Sequence, residues 1–132
     1  DGPWRLVGEL DLGTFSDAQL LVIDGKWHLV GTAGTPPRPT LYRLDGDPAQ
    51  PESWRHWTLV RRLDVPAETW SSAANGADPA RAPYLCDARR ADGWFYLLFS
   101  GSTEQASFGG LGYQKIGAAR STDLKTWHVP PK

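Results

Sequence analysis

The side chains placed for chemistry in this chain lie at the edges of its apolar runs. Asp17 stands in SDAQ (16–19), just ahead of LLVI (20–23). Arg81 stands in RAPY (81–84), at the head of a second apolar run. A carboxylate in such a place either bonds neighbouring backbone N–H groups as a turn residue or faces a pocket, where it can take up a proton. A guanidinium stays protonated at neutral pH, so Arg81 can do neither half of a proton transfer. It can form a two-pronged pair with a carboxylate, either Asp78 or Asp87 within the chain or one on a ligand. Glu104 opens a glycine-rich stretch, EQASFGGLGYQ (104–114), which also holds Phe108 and Tyr113. Long loops of this kind are often functional, and the two aromatic rings could line a pocket edge. The stretch lacks the strand–loop–helix setting of a phosphate-binding loop. Trp70, in ETWSS (68–72), is either a loop anchor or a flat face on which a ligand ring can stack. His28, His56 and His128 are scattered without metal-ligand spacing, and Cys86 is the sole cysteine, expected to be a buried, inert thiol.

The elements that must position these residues are strands. QLLVI (19–23) and WFYLLF (94–99) are short runs rich in β-branched and aromatic residues, bounded by turn formers. Asp24-Gly25 and Asp92-Gly93 are both expected to supply the positive φ angles of tight hairpins. The 14 Gly and 11 Pro among 132 residues call for many turns, and no long window keeps helical apolar spacing. Strands are expected near 4–10, 18–23, 26–32, 40–44, 57–63, 82–87, 94–100 and 115–120, with one short helical turn within STDLKTW (121–127).

The order of these strands repeats. An apolar strand, an Asp-Gly turn, an aromatic strand, a loop, a third strand and a Trp occur from residue 15 to 57 and again from 80 to 127. WRLVGELDLG (4–13) also matches WTLVRRLDVP (57–66), which fixes the phase. The expected organisation is a fourth strand of a preceding unit at 1–13, a complete unit at 14–66, a linking loop at 67–79, and a unit lacking its fourth strand at 80–132. Repetition at this length marks modules that bury their faces against each other. Four antiparallel strands per unit make the blade of a β-propeller; a two-sheet sandwich is the other all-β option. Propellers need at least about four blades, so the remaining ones are expected from a longer chain or from self-association. Trp27 and Trp94 are expected in the strands, packing within or between units. Trp54, Trp57 and Trp127 are expected to mark the turn into the outer strand.

These residues resemble the five-bladed propellers of glycoside hydrolase family 43 and the related family 32. The resemblance rests on SDAQLLVIDGKWHLVGTAG, on GWFYLLFSG (93–101) and on IGAARSTDL (116–124) followed by Trp127, and covers most of the chain. It implies hydrolysis of glycosidic bonds by three carboxylates on the inner strands of successive blades: a general base, a helper Asp and a general-acid Glu. It carries over at one position, Asp17, as base or helper. At the corresponding place in the second unit it sets Arg81, where the family has an acid, so the catalytic set is incomplete within these residues. Under the resemblance Arg81, Trp70, Glu104, Phe108 and Tyr113 become candidate sugar contacts. A non-catalytic carbohydrate-binding propeller and a structural, protein-binding propeller are the alternatives. The expected partner is a carbohydrate, and no cofactor is expected. The net charge of -1 argues against nucleic acid, and no apolar run approaches the roughly 20 residues of a membrane span.

Overall fold

The computed structural model describes residues 2–6, 8–10, 12–66, 81–102 and 114–130. They form two antiparallel sheets. The first contains β1 (Phe15–Ile23), β2 (Lys26–Ala33), β3 (Arg38–Leu44) and β4 (Trp57–Arg62), each paired with the next. The second contains β5 (Arg81–Asp87), β6 (Phe95–Ser102) and β7 (Gln114–Ser121) in the same order. The all-β class expected from the turns and apolar runs is observed, and seven of the expected strands form.

The first hairpin turns as its sequence dictates. Asp24 and Gly25 both have positive φ, at 50° and 75°, and Ile23 pairs with Lys26 across them. The second does not. Asp92 ends a single helical turn (Arg89–Asp92), and only Gly93, at φ 87°, is left-handed, as the residue that closes that turn. STDLKTW (121–127) also departs from expectation, since no helical turn forms there. The Ser121 hydroxyl accepts the N–H groups of Asp123 and Leu124, and Asp123 accepts those of Lys125 and Thr126, folding the segment into linked side-chain turns. The same kind of competition leaves Leu124 at φ 62°.

Among the described residues of 4–10 the expected strand does not form, and Trp4 and Leu6 stand exposed. A strand needs a ladder partner for its backbone, and the described residues of this segment pair with none. Its repeat mate β4 has such a partner in β3. The second unit repeats that pairing in miniature. His128 exchanges both backbone hydrogen bonds with Arg120, at 2.8 Å each, as Thr58 pairs with Arg43 in the first unit. This isolated bridge lies in the register that β4 has against β3.

The core lies between the sheets. Val30, Leu41 and Ile23 of the first meet Leu85, Leu97, Phe95, Phe99 and Ala119 of the second, with Leu63 and Trp127 closing the ends. Side-chain alternation then fixes what lies outside. On the first sheet Leu20, Val22 and Leu59 are exposed, and on the second Tyr84, Leu98 and Ile116. Cys86 shares that outer face, so it is exposed rather than buried; Pro83 and Leu85 take the inward positions on β5. Both sheets are thus apolar on both faces, whereas the outer faces of a two-sheet sandwich are polar.

The register shows how the faces correspond. The pairs Gln19–Val30 and Val30–Leu41 of the first sheet occupy the places of Tyr84–Leu98 and Leu98–Ala118 in the second. Gln19, Val30 and Leu41 face the second sheet; Tyr84 and Leu98 face outward. Conversely, inward Leu85 matches outward Leu20. The sheets pack front to back, and the front of the second repeats the front of the first.

Candidate functional site

Asp17 sits on a bulge at the start of β1. From Ser16 to Gln19 the strand takes three steps while its partner takes two, from Thr32 to Val30. The extra residue forces a left-handed backbone, and Asp17 adopts φ 57°. Such bulges favour glycine there; aspartate is among the few residues that tolerate it. Gly31 lies opposite, and a side chain on it would meet the Phe15 ring and come within 2.7 Å of the Ser16 carbonyl oxygen, so this position takes a glycine.

The bulge turns the Asp17 carboxylate toward β2. Its Oδ2 accepts the Thr32 hydroxyl at 3.0 Å and the Ser16 hydroxyl at 3.2 Å. Thr32 is buried and in turn accepts the N–H of Ala82, on β5, at 2.9 Å. One side chain therefore joins the Asp17 carboxylate to the backbone of the other sheet. Two positions further along β1, Gln19 makes a second link. Its amide accepts the Leu85 N–H at 2.7 Å and donates to the Leu85 carbonyl at 2.9 Å, pairing with a backbone as another strand would. Thr32 and Gln19 thus tie the first sheet to β5 beside Asp17.

The second unit carries the same bulge. From Arg81 to Tyr84, β5 takes three steps while β6 takes two, from Ser100 to Leu98. The left-handed residue there is Ala82, at φ 48°. The structural counterpart of Asp17 is thus Ala82, and Arg81 corresponds to Ser16. Laying the two strand heads over each other in sequence misaligns them by one residue, because an apolar pattern does not reveal which residue of a bulge is the extra one. Neither Arg81 nor Ala82 supplies a carboxylate. Arg81 is exposed at the head of β5, and the Ser100 hydroxyl approaches its carbonyl at 3.4 Å. The structure thus brings the two heads together while leaving the second without an acid. Trp70, Asp78, Glu104, Phe108 and Tyr113 lie outside the described residues, as does the linking segment at 67–79.

Among the described residues, two other places hold clustered side chains. At the far ends of β1 and β5 a cleft of about 470 Å³ is lined by Val22, Asp24, Gly25, Asp87, Arg89 and Arg90. Arg89 dominates it, reaching Asp87 at 2.7 Å and Asp24 at 2.8 Å and lying 4.4 Å from the Phe95 ring centre. The Arg89 hydrogen bond holds the Asp87 carboxyl below its ordinary range, and the two carboxylates raise the affinity of Arg89 for its proton. Asp87 is therefore the partner of Arg89, a pairing across the helical turn that strand-based reading misses. On the outer face of the second sheet, Tyr96, Arg120, His128, Val129 and Pro130 line a cleft of about 330 Å³, with Arg120 4.1 Å from the centre of the Trp94 ring. Trp94 precedes β6 rather than lying in it. Trp27, Trp54 and Trp57 form a ring cluster at 5.4 and 6.0 Å. Burial lowers the pKa of His28, whose Nδ1 lies 2.8 Å from the Lys26 carbonyl oxygen. No group of three or more His, Cys, Asp or Glu among the described residues could hold a metal, and no helix among them is long and apolar enough to cross a membrane.

Thr32 and Gln19 are the site residues that sequence reasoning passed over. The signal for Thr32 was a hydroxyl inside a run of buried residues, since β2 is buried from His28 to Ala33. A polar group in such a place has a partner. Comparison of the chain with protein-family models gives no match, and comparison with curated proteins gives none.

Proposed function

We propose that this chain contributes blades to a glycosidase-type β-propeller, and that Asp17 serves there as the general base or helper carboxylate in hydrolysis of a glycosidic bond. The observation that carries the reading is the hydroxyl-held carboxylate of Asp17 on a left-handed bulge at the head of β1. Backbone strain of order 1–3 kcal/mol is retained in proteins where surrounding contacts over-determine it, and it concentrates at functional sites. The front-to-back packing favours blades over a sandwich, because each sheet leaves open a face that a further sheet of the same kind would cover.

In this reading the Asp17 carboxylate accepts a proton from water through Oδ1, Oδ2 being engaged by Thr32 and Ser16. Inversion is the outcome that the family resemblance carries. It requires an acid on the other side of the sugar with room for that water. The second bulge offers Ala82 and Arg81, so the acid belongs to another blade, and Arg81 is the group to meet a sugar hydroxyl or carboxylate. The second reading is a carbohydrate-binding propeller without turnover, and Ala82 at the counterpart of Asp17 is the observation in its favour. The test is an aryl-glycoside panel with the intact protein, following the product anomer by NMR. Inverted product, lost in Asp17→Asn, supports hydrolysis. Binding of glycans without any product supports the second reading.

A further inference from the structure

We infer that Thr32 is a positioning residue, which fixes the Asp17 carboxylate and makes its orientation depend on the docking of the second sheet. The inference rests on the proposed role of Asp17 for its catalytic consequence, though not for its geometry.

A threonine hydroxyl has one proton to give. Thr32 accepts from the Ala82 N–H at 2.9 Å, and an N–H can only donate, so that bond uses an oxygen lone pair. Its own proton is then directed to Asp17 Oδ2, at 3.0 Å. The order Ala82 N–H to Thr32 O–H to Asp17 Oδ2 has a single sense. The bonds in such a chain polarise one another, so the one received from Ala82 strengthens the one given to Asp17. Ser16 also reaches Oδ2, but from an exposed position next to Asp17, where water competes. Thr32 is buried and is stiff about its first side-chain bond. It is the partner able to hold the carboxylate.

The other end of the chain has its own demand. Ala82 lies at φ 48°, a conformation unfavourable for alanine, and its N–H is held by Thr32. The bond serves both bulges, anchoring the left-handed residue of β5 and orienting that of β1. The repeat places Ser100 where the first unit has Thr32, so the second sheet carries a hydroxyl at the same point of its own bulge.

The test compares Thr32→Val, which keeps the shape and removes the hydroxyl, with Thr32→Ser, which keeps the hydroxyl. Thr32→Ala replaces the valine variant should that fail to fold. In the intact protein kcat on an aryl glycoside should fall roughly 10- to 100-fold in Thr32→Val, the range for loss of a hydrogen bond to a charged group, with KM unchanged and Thr32→Ser close to wild type. Independently of turnover, NMR side-chain couplings should show Asp17 in one rotamer in wild type and Thr32→Ser and averaged in Thr32→Val. Amide exchange at Ala82 should accelerate in the same variant. A fixed Asp17 rotamer without the hydroxyl overturns the inference. Averaging in a protein that hydrolyses no glycoside leaves the positioning role standing and removes the proposed reaction.

Discussion

In the first sheet the bulge opposite Gly31 carries Asp17; in the second the same bulge, opposite Phe99, carries Ala82. The backbone is repeated down to the sign of φ, and the chemistry is not. Aspartate tolerates the left-handed region and here gains two hydroxyl partners. Alanine has no side-chain bond to offer, and its backbone is held through Thr32 instead. The comparison separates two demands that coincide at Asp17. The fold requires a left-handed residue at each bulge, and only the first unit uses that residue to present a carboxylate.

The largest expected effect concerns the faces rather than the bulges. Leu85 and Leu20 occupy equivalent places, yet Leu85 is 1% exposed and Leu20 is 49% exposed. Leu85→Ala should destabilise by about 2–5 kcal/mol in urea unfolding, and Leu20→Ala by under about 1 kcal/mol in this chain. In a protein where a further sheet covers the first, the two values should converge. That result would extend the front-to-back packing by one more unit.

Gln19→Leu follows. Tyr84 is its counterpart and bonds no neighbouring strand through its side chain among the described residues, whereas Gln19 holds both polar groups of Leu85. Leaving those groups without partners should lower stability by about 2–3 kcal/mol. Amide exchange at Leu85 should accelerate, and an unchanged rate there would mean that the sheets are not joined through this amide.

Much of this is legible in the sequence. Short runs rich in β-branched and aromatic residues and an Asp-Gly turn mark β1 and β2. What escaped reading has a physical cause in each case. A bulge adds a residue without disturbing the apolar pattern, so Asp17 was set against Arg81 instead of Ala82. Asp92-Gly93 has the composition of a two-residue turn, but the side chain of Asp87 accepts the Arg89 N–H at 3.2 Å and starts a helical turn ahead of it. The segment at 4–10 has strand composition, yet its described residues pair with no strand, which no local property reveals. Cys86 lies in an apolar strand whose two faces are both apolar, so its sequence neighbours could not say which face it takes.

A smaller effect tests the bulges directly. Ala82→Gly removes the left-handed penalty, worth about 1–2 kcal/mol, at the price of greater chain freedom when unfolded, for a net gain of about 0.5–1 kcal/mol. Asp17→Gly relieves less strain and loses the bonds from Thr32 and Ser16, so it should not stabilise. Thermal unfolding of the two variants separates the cases, and equal shifts would mean that Asp17 is no better suited to its bulge than Ala82.

The smallest effect lies at the Arg89 clasp. Its hydrogen bond lowers the pKa of folded Asp87, so the contribution to stability is present above the ordinary carboxylate range and is lost as pH falls through the folded value. Both side chains are partly exposed, which limits the contribution to about 1 kcal/mol or less. Arg89→Met should flatten the loss of stability as pH falls through and below the ordinary carboxylate range, measured by urea unfolding at each pH. An unchanged acid slope would show that the clasp holds nothing.

The most direct test of the account is the rate of aryl-glycoside hydrolysis by the intact protein beside its Asp17→Asn variant, which keeps the shape of the bulge residue and removes its charge. Proton transfer by a placed side chain contributes about 10²- to 10⁴-fold. The account predicts a loss in kcat of that size with thermal stability held. Undiminished turnover in the variant would contradict it.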